Sequence, residues 1–148
     1  MNLIIDIGNT SVKAALVSDG VIVGRERFLS ADSDVIDRFA GHRRLDAAIV
    51  SSVGSDPAML MSWLGTRTGR VHLLTAASKY PFAIDYGTPE TLGTDRLAAA
   101  AGAFYHHPGA DLLIIDAGSA LTVDLVSGGI YLGGSISPGM AMRFRALH

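Results

Sequence analysis

Leu3-Ile4-Ile5-Asp6-Ile7-Gly8-Asn9 and Leu113-Ile114-Ile115-Asp116-Ala117-Gly118-Ser119 superpose residue for residue across 110 positions. In each, an apolar run ends in Asp-x-Gly followed by an amide or hydroxyl side chain. With one residue dropped from the second copy, Val17-Ser18-Asp19-Gly20-Val21-Ile22-Val23-Gly24 also aligns with Val126-Ser127-Gly128-Gly129-Ile130-Tyr131-Leu132-Gly133. Asp19-Gly20 is a strong two-residue hairpin signal, and Gly128-Gly129 stands at the same place. Two such units predict a pair of duplicated lobes, since a solenoid needs more repeats. Two unrelated β-meanders would also share apolar strands and glycine turns, and that alternative stays open at this stage.

Outward from the repeat, strands are expected at 2–7, 11–18 and 21–28, then a helix at 33–42, a strand at 46–51, a helix at 56–67 and a strand at 70–74. A loop runs through Pro81 and Pro89 into an Ala-rich helix from Asp95 to about Tyr105. The second meander is expected at 112–116, 120–126 and 130–136. The fold class is therefore α/β, with mixed sheets flanked by helices. The lobes divide as 1–110 and 111–148. The second copy stops soon after Pro138-Gly139, where Met140, Phe144 and Leu147 begin one helical face, so the second lobe reads as truncated at His148.

The chain has 148 residues, 49% of them hydrophobic and 18% charged, with 12 Lys and Arg against 14 Asp and Glu. Such a chain can bury a core, which excludes wholesale disorder. A formal charge of −2 with no Lys/Arg block argues against nucleic acid or an anionic membrane surface as partner. The absence of Cys removes disulfides, thiol nucleophiles and Cys-based zinc sites, and suits a reducing cytoplasm. Met1-Asn2-Leu3-Ile4-Ile5-Asp6 lacks the basic start of a signal peptide, and no apolar stretch approaches the ~20 residues of a membrane span. A cytoplasmic protein acting on small molecules is the expectation.

An apolar strand that ends in Asp and turns through Gly and hydroxyl residues presents a carboxylate beside backbone N–H groups. That arrangement suits a nucleotide phosphate with its metal. Gly8 lets the backbone approach closely, Thr10 and Ser11 offer hydroxyls, and Asp6 can hold magnesium directly or through water. Lys13 adds positive charge if it faces the same way. A single Asp-x-Gly is more commonly a capped turn; two in equivalent positions favour the functional reading. The chain contains no G-x-x-x-x-G-K-[ST], G-x-G-x-x-G or G-x-S-x-G, which removes the P-loop, the dinucleotide fingerprint and the nucleophile elbow. His42, His72 and His148 are scattered and His106-His107 are adjacent, so no i, i+4 metal pair exists.

Tyr86-Gly87-Thr88-Pro89-Glu90-Thr91-Leu92-Gly93-Thr94-Asp95-Arg96 leads straight into the Ala-rich helix. Thr94 is expected as N-cap with Asp95 in the first turn, where a carboxylate complements the helix dipole and can take a proton from an alcohol. Arg96 offers a planar fork for a carboxylate or phosphate. The bland alternative is that Asp95 only stabilises the helix end and Arg96 is a solvated charge.

Four motifs in order resemble the N-terminal part of the type III pantothenate kinases: Asp6-x-Gly8-Asn9-Thr10 with Lys13; Tyr86-x-x-Pro89 leading to Gly93-x-Asp95-Arg96; Asp116-x-Gly118-Ser119-Ala120-x-Thr122-x-Asp124; and Gly133-Gly134-x-Ile136-x-Pro138-Gly139. The resemblance covers essentially the whole chain. It implies an actin-like, ribonuclease H-like fold with ATP between two duplicated lobes, and phosphorylation of pantothenate in coenzyme A synthesis. It also implies that Asp6, Ile7, Gly8, Asn9, Thr10, Ser11, Val12, Lys13 and Ser119 bind ATP with Mg2+. Tyr86, Gly93, Thr94, Asp95 and Arg96 would bind pantothenate, with Asp95 as general base. Asp116 would hold a monovalent cation, K+ or NH4+. Ser119 departs from the family threonine but keeps the hydroxyl. Family members continue through the rest of the second lobe, with another substrate contact and much of a homodimer interface. A non-catalytic actin-like nucleotide-binding regulator, or a sugar or acetate kinase of the same superfamily, shares the fold; Tyr86 to Arg96 discriminates them.

Overall fold

The computed structural model describes residues 1–147; the expected truncation point, His148, lies outside the described residues. The chain divides into two compact units, Met1–Thr75 and Ala76–His148.

The first unit contains β1 (Asn2–Ile7), β2 (Val12–Ser18), β3 (Val21–Phe28), α1 (Ser33–Ala40), β4 (Ala47–Ser52), α2 (Ala58–Arg67) and β5 (Val71–Leu73). Its sheet order is β3-β2-β1-β4-β5. The hairpin strands β1 to β3 pair antiparallel, and β4 joins β1 in parallel after the α1 crossover. Period-two alternation sends Leu3, Ile5 and Ile7 to one face, where they pack with Val50, Ile36 and Leu64 in a single core. Leu3 and Ile5 are wholly inaccessible, and each such side chain contributes about 1.5–3 kcal/mol through burial. Asp32 caps α1 by accepting from Asp34 N–H at 3.0 Å, and Gly41, with φ of +61°, ends it.

The second unit contains β6 (Ala83–Ile84), a 3-10 turn (Pro89–Thr91), α3 (Thr94–His106), β7 (Leu112–Ala117), β8 (Ala120–Ser127), β9 (Ile130–Pro138) and α4 (Met140–Ala146). Sheet order is β6-β9-β8-β7. Two-residue β6 lies inside the stretch read from sequence as loop; it forms because Ala83 and Asp85 donate to the carbonyls of Gly129 and Tyr131, both at 3.0 Å. The compact division falls before β6, whereas the sequence copies divide at 110/111. The difference arises because β6 pairs with β9 and α3 packs on β7 and β8.

Register carries the repeat into three dimensions. Asp6 pairs with Lys13 and Asp116 with Thr122, with the one-residue difference the alignment required. Each meander has a register irregularity at the same point, Leu16/Val17 and Leu125/Val126. Asp19-Gly20 and Gly128-Gly129 both have positive φ at both central positions, as tight hairpins of this hand require. Among the described residues helix placement is not repeated. Leu113 and Ile115, the equivalents of the inaccessible Leu3 and Ile5, are 65% and 62% exposed. In the second unit α3 instead covers the opposite face, where Leu97 and Ala100 meet Val126, Tyr131, Leu112 and Ile114.

Candidate active site

In the first unit the β1–β2 turn is closed by Gly8 N–H donating to Ser11 carbonyl at 3.1 Å; Gly118 N–H donates to Ala120 carbonyl at 2.9 Å at the same place in the second copy. Asp6 stands at the end of β1, with Oδ2 3.5 Å from Lys13 Nζ. Lys13 therefore faces the carboxylate. Asp6 Oδ1 is buried and has no hydrogen-bond partner. A buried carboxylate oxygen without a donor is costly in a protein interior and marks a place where a cation or an ordered donor fits. Ser11 is buried, and its hydroxyl accepts from Arg27 Nε at 2.8 Å. Ile7 and Val12 are core residues, so only their backbone is available to a ligand. Asn9 Oδ1 lies 2.9 Å from the position a Cβ would take at Gly54, whose φ is +83°. Thr10 and Asn9 are exposed at the tip.

In the second unit Tyr86, Gly93, Asp95 and Arg96 come together around strands β8 and β9. The N-cap of α3 is Gly93, not Thr94, which is the first helical residue. Asp95 Oδ1 turns back to accept from Arg96 N–H at 2.9 Å and occupies the place of a Cβ at position 93, so a larger residue there would make the Asp95 side chain turn away. That N–H also donates to the Gly93 carbonyl at 3.1 Å, so Asp95 shares a donor already paired in the first turn, and its carboxylate remains partly exposed.

Arg96 is not a solvated charge. Its Nε donates to both oxygens of Asp124 at 3.1 Å and its Nη2 donates to Oδ1 at 2.5 Å, while Tyr131 Oη donates to the same Oδ1 at 2.7 Å. Asp124 is 2% exposed, the Arg96 side chain 10%, and Tyr131 fully buried. The hydrogen bond to Asp124 makes the Arg96 guanidinium still harder to deprotonate. Burial first, and then the bond to Asp124, pushes the Tyr131 phenol well above its ordinary value. Arg96 therefore has one edge bound to Asp124, and the free two-edged fork expected from sequence is reduced to the Nη1 side.

Tyr86 follows β6, and its ring carbons lie 2.6 Å from the position of a Cβ at Gly133, whose φ is +82°. Gly134 lets β9 cross against Val123 carbonyl, and Gly139 sits on the carbonyls of Gly118 and Ser119. The glycines of the fourth motif thus have a steric cause: they seat the tyrosine and the second Asp-x-Gly turn. Ser119 carbonyl accepts from Gly139 N–H at 3.0 Å. Asp116 is exposed, as are Leu113 and Ile115 beside it in the strand. Solvent therefore reaches Asp116 along this strand.

The sequence placed Asp124 at the end of the third motif without a role, and did not single out Tyr131. The signal was present: alternation along β8 puts Thr122, Asp124 and Val126 on one inward face, and an inward acid demands a partner. Among the described residues no group of three or more His, Cys, Asp or Glu could hold a metal ion, and no helix is long and apolar enough to cross a membrane. His106 and His107 are exposed at the end of α3.

Residues 2–148 match the family described as type III pantothenate kinase. Proteins of that name from Christiangramia forsetii and Phocaeicola vulgatus are 39% identical over 152 and 149 residues, covering 100% of this chain and 62% of each relative. Another from Porphyromonas gingivalis is 38% identical, over 99% of this chain and 60% of its own. The chain therefore spans about three fifths of the length of these relatives. Among solved structures, a Campylobacter jejuni protein assigned to the Baf family superposes with TM-score 0.59 at 24% identity, covering 98% of this chain and 58% of that one. A Porphyromonas gingivalis protein assigned as an N-acetylglucosamine kinase gives TM-score 0.52 at 14% identity, over 91% and 47%. Both likenesses concern the fold.

Proposed function

This chain belongs to the type III pantothenate kinase family, and from that membership we propose that its protein transfers the γ-phosphoryl group of ATP to the primary alcohol of pantothenate, the first step of coenzyme A synthesis. The observation that carries the proposal is Asp95 at the start of α3, with a partly exposed carboxylate oriented by the N–H of the neighbouring Arg96.

In the proposed reaction the pantothenate hydroxyl oxygen attacks the γ-phosphorus. The bond from that phosphorus to the bridging oxygen breaks, ADP leaves, and the hydroxyl proton passes to Asp95. Tyr86 lines the pantothenate pocket, and Gly93, Thr94 and Arg96 complete it. Asp6, Ile7, Gly8, Asn9, Thr10, Ser11, Val12 and Lys13 hold ATP through backbone N–H groups, hydroxyls and the Lys13 charge. The unpartnered Oδ1 of Asp6 fits a hard cation, so Asp6 is the residue that would hold Mg2+. Bound Mg2+ neutralises phosphate charge. Asp116 offers one exposed carboxylate at a glycine turn, a donor set that suits a singly charged K+ or NH4+. Residues 1–110 and 111–148 are the two copies of one unit, a reading supported by their matching registers. A cytoplasmic homodimer completes the proposal, supported by family membership alone.

The test is transfer of labelled phosphate from ATP to pantothenate by the whole gene product. Formation of phosphopantothenate supports the proposal. Transfer to a sugar or to acetate with none to pantothenate overturns it.

A further inference from the structure

We propose that Asp124, braced by Tyr131, is the positioning residue for Arg96: it fixes the guanidinium by its Nε and Nη2 edge and so presents the Nη1 edge and the first turn of α3 to pantothenate in one orientation. The identity of the substrate rests on the function proposed above; the geometry does not.

Three features carry this inference. Asp124 receives Arg96 through two nitrogens and Tyr131 through its hydroxyl, so the carboxylate is held from one neighbouring strand and one helix. Arg96 directly follows Asp95, and its own N–H is the donor that orients Asp95 Oδ1. A guanidinium pinned at Asp124 thereby limits the motion of the residue that holds the candidate base. The third feature is the cost of the arrangement. An ion pair this deeply buried is a weak source of stability compared with apolar packing of the same volume. Tyr131 already stacks on Phe82 with ring centroids 5.8 Å apart, and Phe82 packs on Phe104, so an apolar cluster stands ready on that side. The charged pair brings what an apolar group cannot, a fixed direction for the remaining donors of Arg96.

The path from Asp124 to the substrate runs through Arg96, so Asp124 touches neither reactant. Tyr86, seated on Gly133 of the same strand as Tyr131, supplies the neighbouring wall. Loss of the pin should therefore appear in the handling of pantothenate and not in that of ATP.

The experiment uses the whole gene product with Tyr131→Phe and Asp124→Asn. Tyr131→Phe keeps the stacked ring and removes one bond to the carboxylate; it is expected to raise KM for pantothenate about threefold to tenfold, with KM for ATP within about twofold. Asp124→Asn is expected to lower kcat/KM for pantothenate about tenfold or more. A second readout is independent of turnover: the Arg96 Nε–H resonance, assigned by its disappearance in Arg96→Lys, exchanges slowly in the unmodified protein and rapidly in Asp124→Asn. If Asp124→Asn does not fold, Tyr131→Phe decides both readouts. Lowered thermal stability with unchanged pantothenate KM and an unchanged Arg96 resonance in Tyr131→Phe would overturn the proposal. If the unmodified protein transfers nothing to pantothenate, the proposed function falls, and the resonance still decides whether Asp124 pins Arg96.

Discussion

The ring of Tyr86 occupies the space that a side chain at Gly133 would fill, with two ring carbons 2.6 Å from the absent Cβ. Residues 47 positions apart are thus matched by shape, and the pairing joins β6 to the Gly133-Gly134 segment of β9. Gly133→Ala adds a methyl group into the ring at a backbone angle that disfavours it. The expected outcome is a loss of about 1–3 kcal/mol in stability by chemical denaturation and a raised KM for pantothenate. A variant with unchanged stability and KM would show that Tyr86 is not held by this contact.

Asp95→Asn keeps the shape of the side chain and its ability to accept from Arg96 N–H, but removes the base. In the whole gene product, kcat should fall about 10²–10⁴-fold while ATP affinity, measured by direct binding, stays nearly unchanged. Unaltered kcat would remove Asp95 from the proton-transfer role.

Asp6→Asn tests the first Asp-x-Gly turn. The magnesium concentration giving half-maximal rate should rise about tenfold or more, with little change in KM for pantothenate. Because Oδ1 has no protein partner and the Lys13 pair is largely solvated, worth about 0–1 kcal/mol, thermal stability should hold or improve. Equal damage to magnesium and pantothenate dependence would point to general disruption.

Asp116→Ala should abolish activation by potassium or ammonium at fixed magnesium. Since Asp116 is exposed, the change in folding stability should stay within about 0.5 kcal/mol, which separates a cation role from a turn-stabilising one. A cation response retained in the variant would exclude Asp116 as the ligand.

The amino-acid sequence by itself determined the repeated strands, their hairpins and the positions of the two Asp-x-Gly turns. Those features depend on local alternation and on residues such as Gly20 and Gly128 that tolerate positive φ, so they are written within a few neighbours. Tertiary structure alone decided which face of each meander is covered. Leu3-Ile4-Ile5 and Leu113-Ile114-Ile115 are identical, yet Leu3 is inaccessible and Leu113 exposed, because strands apolar on both faces do not specify which side a helix takes. The same holds within the candidate site. Asp95 and Arg96 were legible from their place at the start of a helix, but the N-cap is Gly93, with Thr94 already helical. The pin on Arg96 comes from Asp124 and Tyr131, 28 and 35 residues away, and only packing brings them to it. Short-range stereochemistry is thus readable along the chain, whereas the partner of a buried charge is set by whichever distant group the fold encloses beside it.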